Sequence, residues 1–153
     1  MKKGPVLKII NHTISLKTAA SLDFIDITEK VQKKIKESGI IEGVINIQSL
    51  HTTLSIIVNE AEPFLIMDMK RLLENLAPRT TKYLHDNFDI RTVHMHPNEP
   101  VNGHAHNKAV YLPASAMLNI TKNQLQLGKW QRVFAVELDR SRPRRIALEI
   151  IGM

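Results

Sequence analysis

Five of the seven histidines in this chain lie between positions 85 and 106, so this stretch is the first place to look for chemistry. Two of them, His104 and His106, follow an Asn-Gly pair in the segment VNGHAHNKAVYL. Imidazole side chains bind divalent metals, and they also exchange protons near neutral pH. On an extended segment the two rings would point the same way and could bind one ion, whereas on a helix they would lie about 200° apart. The spacing alone leaves both arrangements open.

Two further polar segments contribute histidines. His51 lies in LHTTLSIIVNE, and His85 is followed directly by Asp86, whose carboxylate could orient the ring. Together with His104 and His106, these residues are enough for a zinc ion, which three neutral imidazoles can hold. A metal site is therefore one interpretation of the pattern. Proton carriers and a polar surface loop are the others.

The segment around His51 also predicts a strand with one polar face. If residues 47–59 are extended, their side chains alternate between two faces. One face then carries Leu50, Leu54, Ile56 and Val58, and the other carries His51, Thr53, Ser55 and Asn59. Such a polar face either meets solvent or lines a pocket, and a half-exposed strand is the simpler interpretation.

Glu137 is a carboxylate in an apolar setting. It lies near the end of LGKWQRVFAVELD, where alternation places Gln131 on the same face and Trp130 on the opposite face, which we expect to be core. A carboxylate buried in such a strand needs a partner, and Arg144 or Arg145 on the following strand could supply it. A structural ion pair and a catalytic role both remain open for Glu137.

Periodicity and capping residues predict the elements that position these side chains. LKIINHTISLKT alternates as a strand, and DITEKVQKKIKESG is typical of a helix that Asp26 or Thr28 caps and Gly39 ends. GVINIQSLHTTLSIIVNE is either one long strand or two strands joined by a kink. EPFLIMDMKRLLENLAP predicts a second helix, with Pro63 in its first turn and an apolar stripe of Leu65, Met69, Leu72 and Leu76.

The rest of the chain predicts a long loop followed by strands. Residues 79–103 are loop-like, and residues 104–118 are ambiguous, with a short helix that ends at Leu112 as one option. QLQLGKWQRVFAVELD and RRIALEIIG are typical of strands separated by a tight Arg/Pro turn. This order predicts one α+β domain over residues 1–153, with two main helices and a mostly antiparallel or mixed sheet.

Composition and charge narrow the class of protein. The chain is 43% hydrophobic and 24% charged, as is typical of a globular domain. Its formal charge of +6 suits a phosphorylated ligand or nucleic acid, but only 5% of its residues are aromatic, so we do not expect a base-stacking surface. The absence of cysteine excludes disulfides and thiol catalysis. We recognise no membrane-spanning apolar run and no signal peptide, and we expect a cytoplasmic protein.

Several motifs, taken together and in order, resemble one protein family. They cover the chain from about residue 8 to its end and are similar to the YjbQ family, also called UPF0047. The motifs are His51-Thr52-Thr53 with Asn59-Glu60, Asp68, Tyr83-x-His85-Asp86, Asn102-x-His104-Ala105-His106, Leu127-Gly128-x-Trp130-Gln131, and Glu137, Asp139 and Arg144-Arg145.

The resemblance implies a small α+β fold that assembles as a homotrimer, with sites near subunit interfaces. It also implies a secondary thiamine-phosphate synthase activity, which joins a hydroxymethylpyrimidine diphosphate to a thiazole phosphate and releases pyrophosphate. The family's histidines fall on His51, His85 and His106, the expected metal-binding or catalytic cluster, with His104 as a further candidate. A histidine-rich site suits zinc, manganese or nickel better than magnesium.

The other site candidates are carboxylates and polar groups. Glu60, Asp68 and Glu137 are the expected catalytic carboxylates, and Arg145 is expected to hold a phosphate group bidentately. The further expected contacts to substrate or phosphate are Thr52, Thr53, Asn59 and Gln131.

Three functions remain open from the sequence. The first is a metal-dependent enzyme that acts on a phosphorylated small molecule, with thiamine-phosphate synthesis as the best named reaction. The second is a hydrolase in which the metal activates water. The third is a trimeric protein that binds a metal or ligand without catalysis. Because ligand imidazoles must be neutral, a metal site predicts that metal affinity falls as the pH drops through the histidine range.

Overall fold

The computed structural model describes residue 4 and residues 6–153, which form two antiparallel sheets and three α-helices. The helices are α1 (Thr28–Ser38), α2 (Pro63–Leu76) and α3 (Gly103–Ala109), and a short 3-10 turn covers Leu84–Asp86. The strands are β1 (Lys8–Lys17), β2 (Asp23–Asp26), β3 (Gly43–Ser49), β4 (Leu54–Glu60), β5 (Ser115–Thr121), β6 (Gln124–Leu125), β7 (Gln131–Glu137) and β8 (Pro143–Gly152).

The strands divide into a five-stranded sheet and a three-stranded sheet. The larger sheet has the order β1-β8-β3-β5-β6 and the smaller has the order β2-β7-β4, with every neighbouring pair antiparallel. The main hydrophobic core contains inward-facing residues of both sheets. The inner face of α1 packs into the same core, where Val31 and Ile35 are fully buried. The predicted α+β fold with mostly antiparallel sheets is confirmed, and α3 is the short third helix.

Helix α1 begins and ends where its sequence predicts. The carboxylate of Asp26 accepts a hydrogen bond from the backbone N–H of Thr28 at 2.9 Å, which satisfies a free donor at the helix start. Gly39 ends the helix with a φ of 67°, in the left-handed region that glycine adopts without strain.

The segment that carries His51 contains two strands that belong to different sheets. Strand β3 ends at Ser49, residues 50–53 form a turn, and β4 begins at Leu54 in the smaller sheet. The side chain of Ser49 accepts a hydrogen bond from the backbone N–H of His51 at 3.2 Å and so stabilises the turn. Of the two arrangements left open for this segment, the structure has two strands, so His51 does not share a strand face with Thr53, Ser55 and Asn59.

Helix α2 is only loosely covered by the rest of the chain. Its start is capped by Glu62, which accepts hydrogen bonds from two backbone N–H groups at 2.9 and 2.7 Å, and Pro63 occupies the first turn as predicted. The predicted buried stripe is wrong, because Leu73 is the one buried residue of the helix, while Leu72 and Leu76 are 57% and 42% exposed. No helix among the described residues combines the length and the apolar character needed to cross a bilayer.

Trp130 is also more exposed than its sequence pattern predicts. The strand β7 begins one residue later, and 62% of the surface of this tryptophan remains accessible. The ammonium group of Lys129 lies 4.6 Å from the centre of its ring. The prediction of a core tryptophan is therefore wrong, because the residue lies in the turn before the strand.

Candidate functional site

The two neighbouring histidines lie on α3 and therefore point in different directions. Residues two positions apart on an α-helix are rotated by about 200°. His104 is buried, with 3% of its surface exposed, whereas His106 is half-buried and lies against the ring of His85. Of the two arrangements that the spacing leaves open, the structure has the helical one.

Asp86 connects this helix to the loop that precedes it. Its carboxylate accepts hydrogen bonds from the backbone N–H groups of Asn102 and Gly103, both at 2.9 Å, and satisfies free donors at the start of α3. A side chain at Gly103 would collide with Tyr83, because an added Cβ would lie 2.5 Å from the Cβ of that tyrosine. Asp86 therefore positions the helix as a whole and does not point at the ring of His85 as a tautomer-fixing partner.

His85 and His106 form an imidazole pair. Their ring centres are 4.6 Å apart and their planes are inclined by 56°. Nη1 of Arg91 lies 3.3 Å from Nε2 of His85, and the same nitrogen donates to the carboxylate of Glu99 at 3.0 Å. Burial, followed by the charge of His85, lowers the pKa of His106 below its ordinary value. The lowered pKa favours the neutral form of His106.

His104 is held by a buried lysine on the same helix. Nζ of Lys108, which has no exposed surface, lies 3.3 Å from Nδ1 of His104. The same ammonium group donates to the backbone oxygen of Ala77 at 2.6 Å and pairs with the carboxylate of Glu74 at 3.0 Å. Burial lowers the pKa of His104, and the positive charges of Lys108 and Arg79 lower it further.

His51 contacts the backbone of strand β8. Its Nε2 accepts a hydrogen bond from the backbone N–H of Arg145 at 2.8 Å. Burial lowers the pKa of His51, and the charges of Arg144, Arg142 and Arg145 add to this effect. His51 is therefore a neutral imidazole close to several arginines.

These histidines do not form a three-ligand metal site within one chain. A neutral imidazole has one ring nitrogen with a free lone pair for a metal. In His51 and His104 this nitrogen already accepts a hydrogen bond from the protein. In His85 the guanidinium of Arg91 lies close to one ring nitrogen. In the part of the chain that the structure describes, no three histidine or acidic side chains are placed to hold an ion. The donor set therefore does not fit zinc held by His51, His85 and His106, and we assign no chemical step to a metal.

Three arginines converge on Asp139, which follows β7. The carboxylate of Asp139 accepts hydrogen bonds from Nη1 of Arg140 and of Arg142, both at 3.0 Å, and its backbone oxygen accepts one from Arg79 at 3.4 Å. The carboxylate is 3% exposed, whereas the side chains of Arg140 and Arg142 are 46% and 39% exposed. We call Arg79, Arg140 and Arg142 the arginine cluster. Two guanidinium groups pair with one carboxylate and a third contacts its backbone oxygen, so the cluster presents net positive charge to solvent.

The arginine cluster adjoins the histidines of α3. Nδ2 of Asn102 donates to the carboxylate of Asp139 at 3.4 Å, while Oδ1 of Asn102 is buried without a hydrogen-bond partner. Burial and nearby positive charge lower the pKa values of His104 and His106, and the charge of Asp139 opposes both shifts. The hydrogen bond from Asn102 to Asp139 places the arginine cluster beside the start of α3, the helix that carries both histidines.

Glu137 lies in a buried network next to this site. Nε of Arg144 donates to its Oε2 at 2.6 Å and Oγ1 of Thr18 donates to the same oxygen at 3.0 Å, while the backbone N–H of Asp139 donates to Oε1 at 2.9 Å. Arg144 also donates to Oγ1 of Thr53 at 2.8 Å. Both carboxylate oxygens are thus occupied, and Glu137 has no exposed surface. Of the two roles left open for Glu137, the contacts favour the structural ion pair.

The other predicted carboxylates lie away from the histidines. Glu60 lies opposite Gln131, at the other end of β7 from Glu137. At roughly 3.3 Å for each strand residue, these two ends are about 20 Å apart. Asp68 is exposed on α2 and pairs with Arg71 at 2.7 Å. The structure of one chain therefore does not bring Glu60, Asp68 or Gln131 together with the histidines.

The predicted substrate contacts are likewise dispersed. Thr52 is exposed in the turn before β4, and Thr53 is buried against Arg144. Asn59 is exposed and its amide donates to the sulfur of Met69 at 3.3 Å. Arg145 meets His51 through its backbone, while its side chain is exposed. Of this group, Thr53 lies nearest to Asp139, because its backbone oxygen accepts a hydrogen bond from the N–H of the adjacent Leu138 at 3.0 Å.

The sequence interpretation missed the arginine cluster and Lys108 as site residues. The segment RSRPRR contains two of the three clustered arginines. It is the densest positive stretch of the chain, and this density could have indicated an anion-binding surface. Arg79 comes from a loop that is distant in sequence, and no feature of the sequence around it indicates that it joins the cluster. Lys108 follows His104 by four residues, a spacing that brings side chains together on a helix once the helix is known.

We expect Glu137→Gln to lower the free energy of unfolding by about 3–5 kcal/mol, because it leaves the guanidinium of Arg144 buried without a counter-charge. Chemical denaturation followed by circular dichroism measures this change. The matched control is Asp68→Asn, which removes a carboxylate from an exposed ion pair and is expected to cost about 0–1 kcal/mol. A Glu137→Gln protein as stable as its parent would contradict the structural role.

The stability of the protein is expected to fall as the pH is lowered from about 7 to 5. Burial is the largest cause that lowers the pKa values of His51, His104 and His106 in the folded chain. In the unfolded chain these values return to about 6.5, so below that pH the unfolded state binds protons that the folded state does not. Thermal denaturation across this pH range measures the decline.

The variant His104→Gln is expected to flatten this decline, since it removes one of the buried imidazoles. The control His94→Gln changes a histidine in an exposed loop and should leave the slope as in the parent. An identical slope in the parent and in His104→Gln would show that burial of His104 does not contribute.

Comparisons with known proteins cover nearly the whole chain. A model of the family described as UPF0047 protein YjbQ-like matches residues 12–153. A UPF0047 protein of Methanothermobacter thermautotrophicus is 32% identical over 152 residues, which cover 99% of both chains. The UPF0047 protein YugU of Bacillus subtilis is 32% identical over 141 residues, covering 92% of this chain and 98% of the relative.

Solved structures agree with this assignment. A YbjQ-like protein of unknown function from Sulfolobus solfataricus P2 superposes with a TM-score of 0.86 at 30% identity, covering 97% of this chain and 100% of the other. A YjbQ/UPF0047 protein from Clostridium acetobutylicum superposes with a TM-score of 0.79 at 33% identity, covering 91% and 98% of the two chains. The chain therefore belongs to the UPF0047, YjbQ-like protein family.

Proposed function

We propose that this protein is a cytoplasmic enzyme that acts on a phosphorylated small molecule, and that the arginine cluster binds the phosphate. The observation that carries the proposal is the position of three guanidinium groups around Asp139, beside the histidines of α3. Guanidinium groups match phosphate oxygens in geometry as well as in charge. The net charge of +6 favours the approach of such an anion to the chain.

Thiamine-phosphate synthesis is the specific reaction that we propose to test first. In this reaction a ring nitrogen of the thiazole phosphate bonds to the methylene carbon of the pyrimidine diphosphate. The bond from that carbon to the diphosphate oxygen breaks, and its electron pair leaves with pyrophosphate. Arg79, Arg140 and Arg142 would stabilise the negative charge that develops on this leaving group, a task that suits positive groups held in place before the reaction. The choice of this reaction comes from the family resemblance. The arginine cluster would provide the positive charge that the pyrophosphate leaving group requires.

Pyrophosphate is the probe for the phosphate-binding part of the proposal. We expect Arg142→Gln to weaken its binding about 10- to 100-fold, since a hydrogen bond between charged groups contributes roughly 1.5–3 kcal/mol. Isothermal titration calorimetry measures the dissociation constant. The matched control is Arg71→Gln, which removes an exposed arginine of α2 and should bind pyrophosphate as the parent does. Equal affinity of the parent and Arg142→Gln would contradict the assignment of the phosphate site.

Turnover assays with the pyrimidine diphosphate and the thiazole phosphate separate the alternatives. Pyrophosphate release that requires both substrates supports the synthase. Phosphate or pyrophosphate release from the pyrimidine diphosphate alone supports a hydrolase. Binding without turnover supports a non-catalytic protein. Each assay is run with added zinc or manganese and with a chelator, and activity that survives the chelator contradicts metal dependence.

We also propose that the protein assembles as a homotrimer, in which copies of the chain cover its exposed apolar side chains. On α2, Phe64 and Met67 are 74% and 63% exposed, and Leu72 adds to the same loosely covered helix. After α3, Val110 and Tyr111 are 81% and 60% exposed. Monomeric soluble proteins rarely leave so many large apolar side chains in water, and contiguous patches of this kind mark interfaces. The comparisons leave the number of subunits open.

We expect Met67→Glu to lower the mass of the assembly, because it places a charge within a largely apolar surface. Size-exclusion chromatography with light scattering should give three times 17.4 kDa for the parent and a smaller mass for the variant. Lys30→Glu, at an exposed position of α1, is the control for a change of charge and should assemble like the parent. A parent protein that is monomeric at micromolar concentration would contradict the homotrimer.

A further inference from the structure

Lys108 is a fully buried lysine with three hydrogen-bond acceptors around its ammonium group. Nζ lies 2.6 Å from the backbone oxygen of Ala77, 3.0 Å from Oε2 of Glu74 and 3.3 Å from Nδ1 of His104. An ammonium group has three protons and no lone pair, so each of these contacts is a donation by Lys108. The carboxylate of Glu74 supplies a counter-charge to this buried ammonium group.

This contact determines which nitrogen of His104 carries the proton. Because Nδ1 accepts from Lys108, the proton of the neutral ring lies on Nε2. A metal ligand or a general base would need a lone pair on Nε2, and this tautomer has none there. Protonation of Nδ1 instead would place an N–H group against the ammonium of Lys108. The geometry therefore leaves His104 as a hydrogen-bond donor through Nε2.

Nε2 of His104 has no hydrogen-bond acceptor among the described residues, and the residue as a whole is 3% exposed. Among the described residues, the buried side-chain atoms that lack a hydrogen-bond partner are Nε2 of His12 and Oδ1 of Asn102. Nε2 of His104 is not one of them, and no atom of the described residues accepts from it, so a small part of this nitrogen remains exposed. A ligand in the site can therefore take the hydrogen bond that His104 offers.

His51 has the same arrangement with the two nitrogens exchanged. Its Nε2 accepts from the backbone N–H of Arg145, so the proton of the neutral ring lies on Nδ1. The charge of Arg142 contributes to the lowered pKa of His51, and its guanidinium pairs with Asp139, which accepts a hydrogen bond from Asn102, two residues before His104. Two imidazoles near one cluster of arginines are thus both prepared as donors, which is the protonation pattern that an anionic ligand requires.

We propose that Lys108 is a positioning residue that holds His104 as a neutral hydrogen-bond donor, and that Nε2–H of His104 binds an oxygen of the phosphate-containing ligand. This inference rests on the proposed function, because the ligand is the one bound by the arginine cluster. Ring N–H groups and guanidinium groups together supply fixed donors for an oxyanion, as electrostatic stabilisation of a charged leaving group requires. His104 then takes part in binding without accepting a proton and without a metal.

Ring-nitrogen NMR of protein labelled with ¹⁵N-histidine tests the tautomer directly. The resonances of His104 are identified by their absence in His104→Gln. We expect the Nε2–H pattern in the parent, and its loss in Lys108→Met, which removes the ammonium group and keeps an apolar side chain of similar length. The matched control is Glu74→Gln, which removes the charge partner of Lys108 and leaves its contact with His104, so the parental tautomer should persist.

The spectrum of the parent decides the tautomer even if Lys108→Met does not fold. An Nδ1–H tautomer in the parent, or a parental pattern in a folded Lys108→Met, overturns the role of Lys108. A shift of Nε2 of His104 into the metal-bound range when zinc is added overturns the donor role.

Addition of pyrophosphate separates this inference from the proposed function. A change at the Nε2–H resonance of His104 that tracks the calorimetric titration supports the inference. Pyrophosphate that binds by calorimetry without any change at this resonance overturns the inference and leaves the proposed function standing. Pyrophosphate that does not bind to the parent at all overturns the phosphate site, and with it the ligand assigned to His104.

Discussion

A buried ion pair between Glu137 and Arg144 holds together the end of the molecule that carries the candidate site. Glu137 ends β7 in the smaller sheet and Arg144 begins β8 in the larger sheet, so the pair joins the two sheets. Thr53 and Thr18 bring the neighbouring turns into the same network. Two buried charges are tolerable only because each is satisfied by the other and by further hydrogen bonds. The pair also contacts the backbone N–H of Asp139 and the side chain of Thr53 in the turn after His51, so this part of the site is tied to it.

A second buried charge organises the histidines. Lys108 connects the C-terminal end of α2 to His104 on α3, and Asp86 connects the start of α3 to the loop of His85. Short helices are marginal without such contacts, so α3 depends on its partners rather than on its own sequence for its place in the fold. The result is that the site is built from donors: arginines, imidazole N–H groups and a lysine that fixes one of them. Such a set is chemically suited to an anion and poorly suited to a divalent cation.

Local structure followed from the sequence wherever local interactions determine it. The hydrogen bond from Thr28 to Asp26 at the start of α1 and the end of the helix at Gly39 depend on residues within one turn, and both were predictable. Helix α2 was predictable as a helix, but the burial of its apolar stripe was not, because burial depends on what packs against the helix. The break between β3 and β4 was an open alternative, since a β-branched run does not reveal that its two halves join different sheets.

The sequence by itself determined the α+β class, the positive charge and the family, because these depend on composition, periodicity and ordered motifs that are present in the chain as written. Only the tertiary structure decided what the histidines are. Their spacing fitted a metal site as well as it fitted a set of hydrogen-bonding side chains. Helix α3 turns His104 and His106 in different directions. Donors from residues 91, 108 and 145 contact the ring nitrogens of His85, His104 and His51. The lone pair of an imidazole is a local property, whereas the group that occupies it is brought there by folding. The arginine cluster likewise exists only because a loop residue, Arg79, meets the turn between β7 and β8.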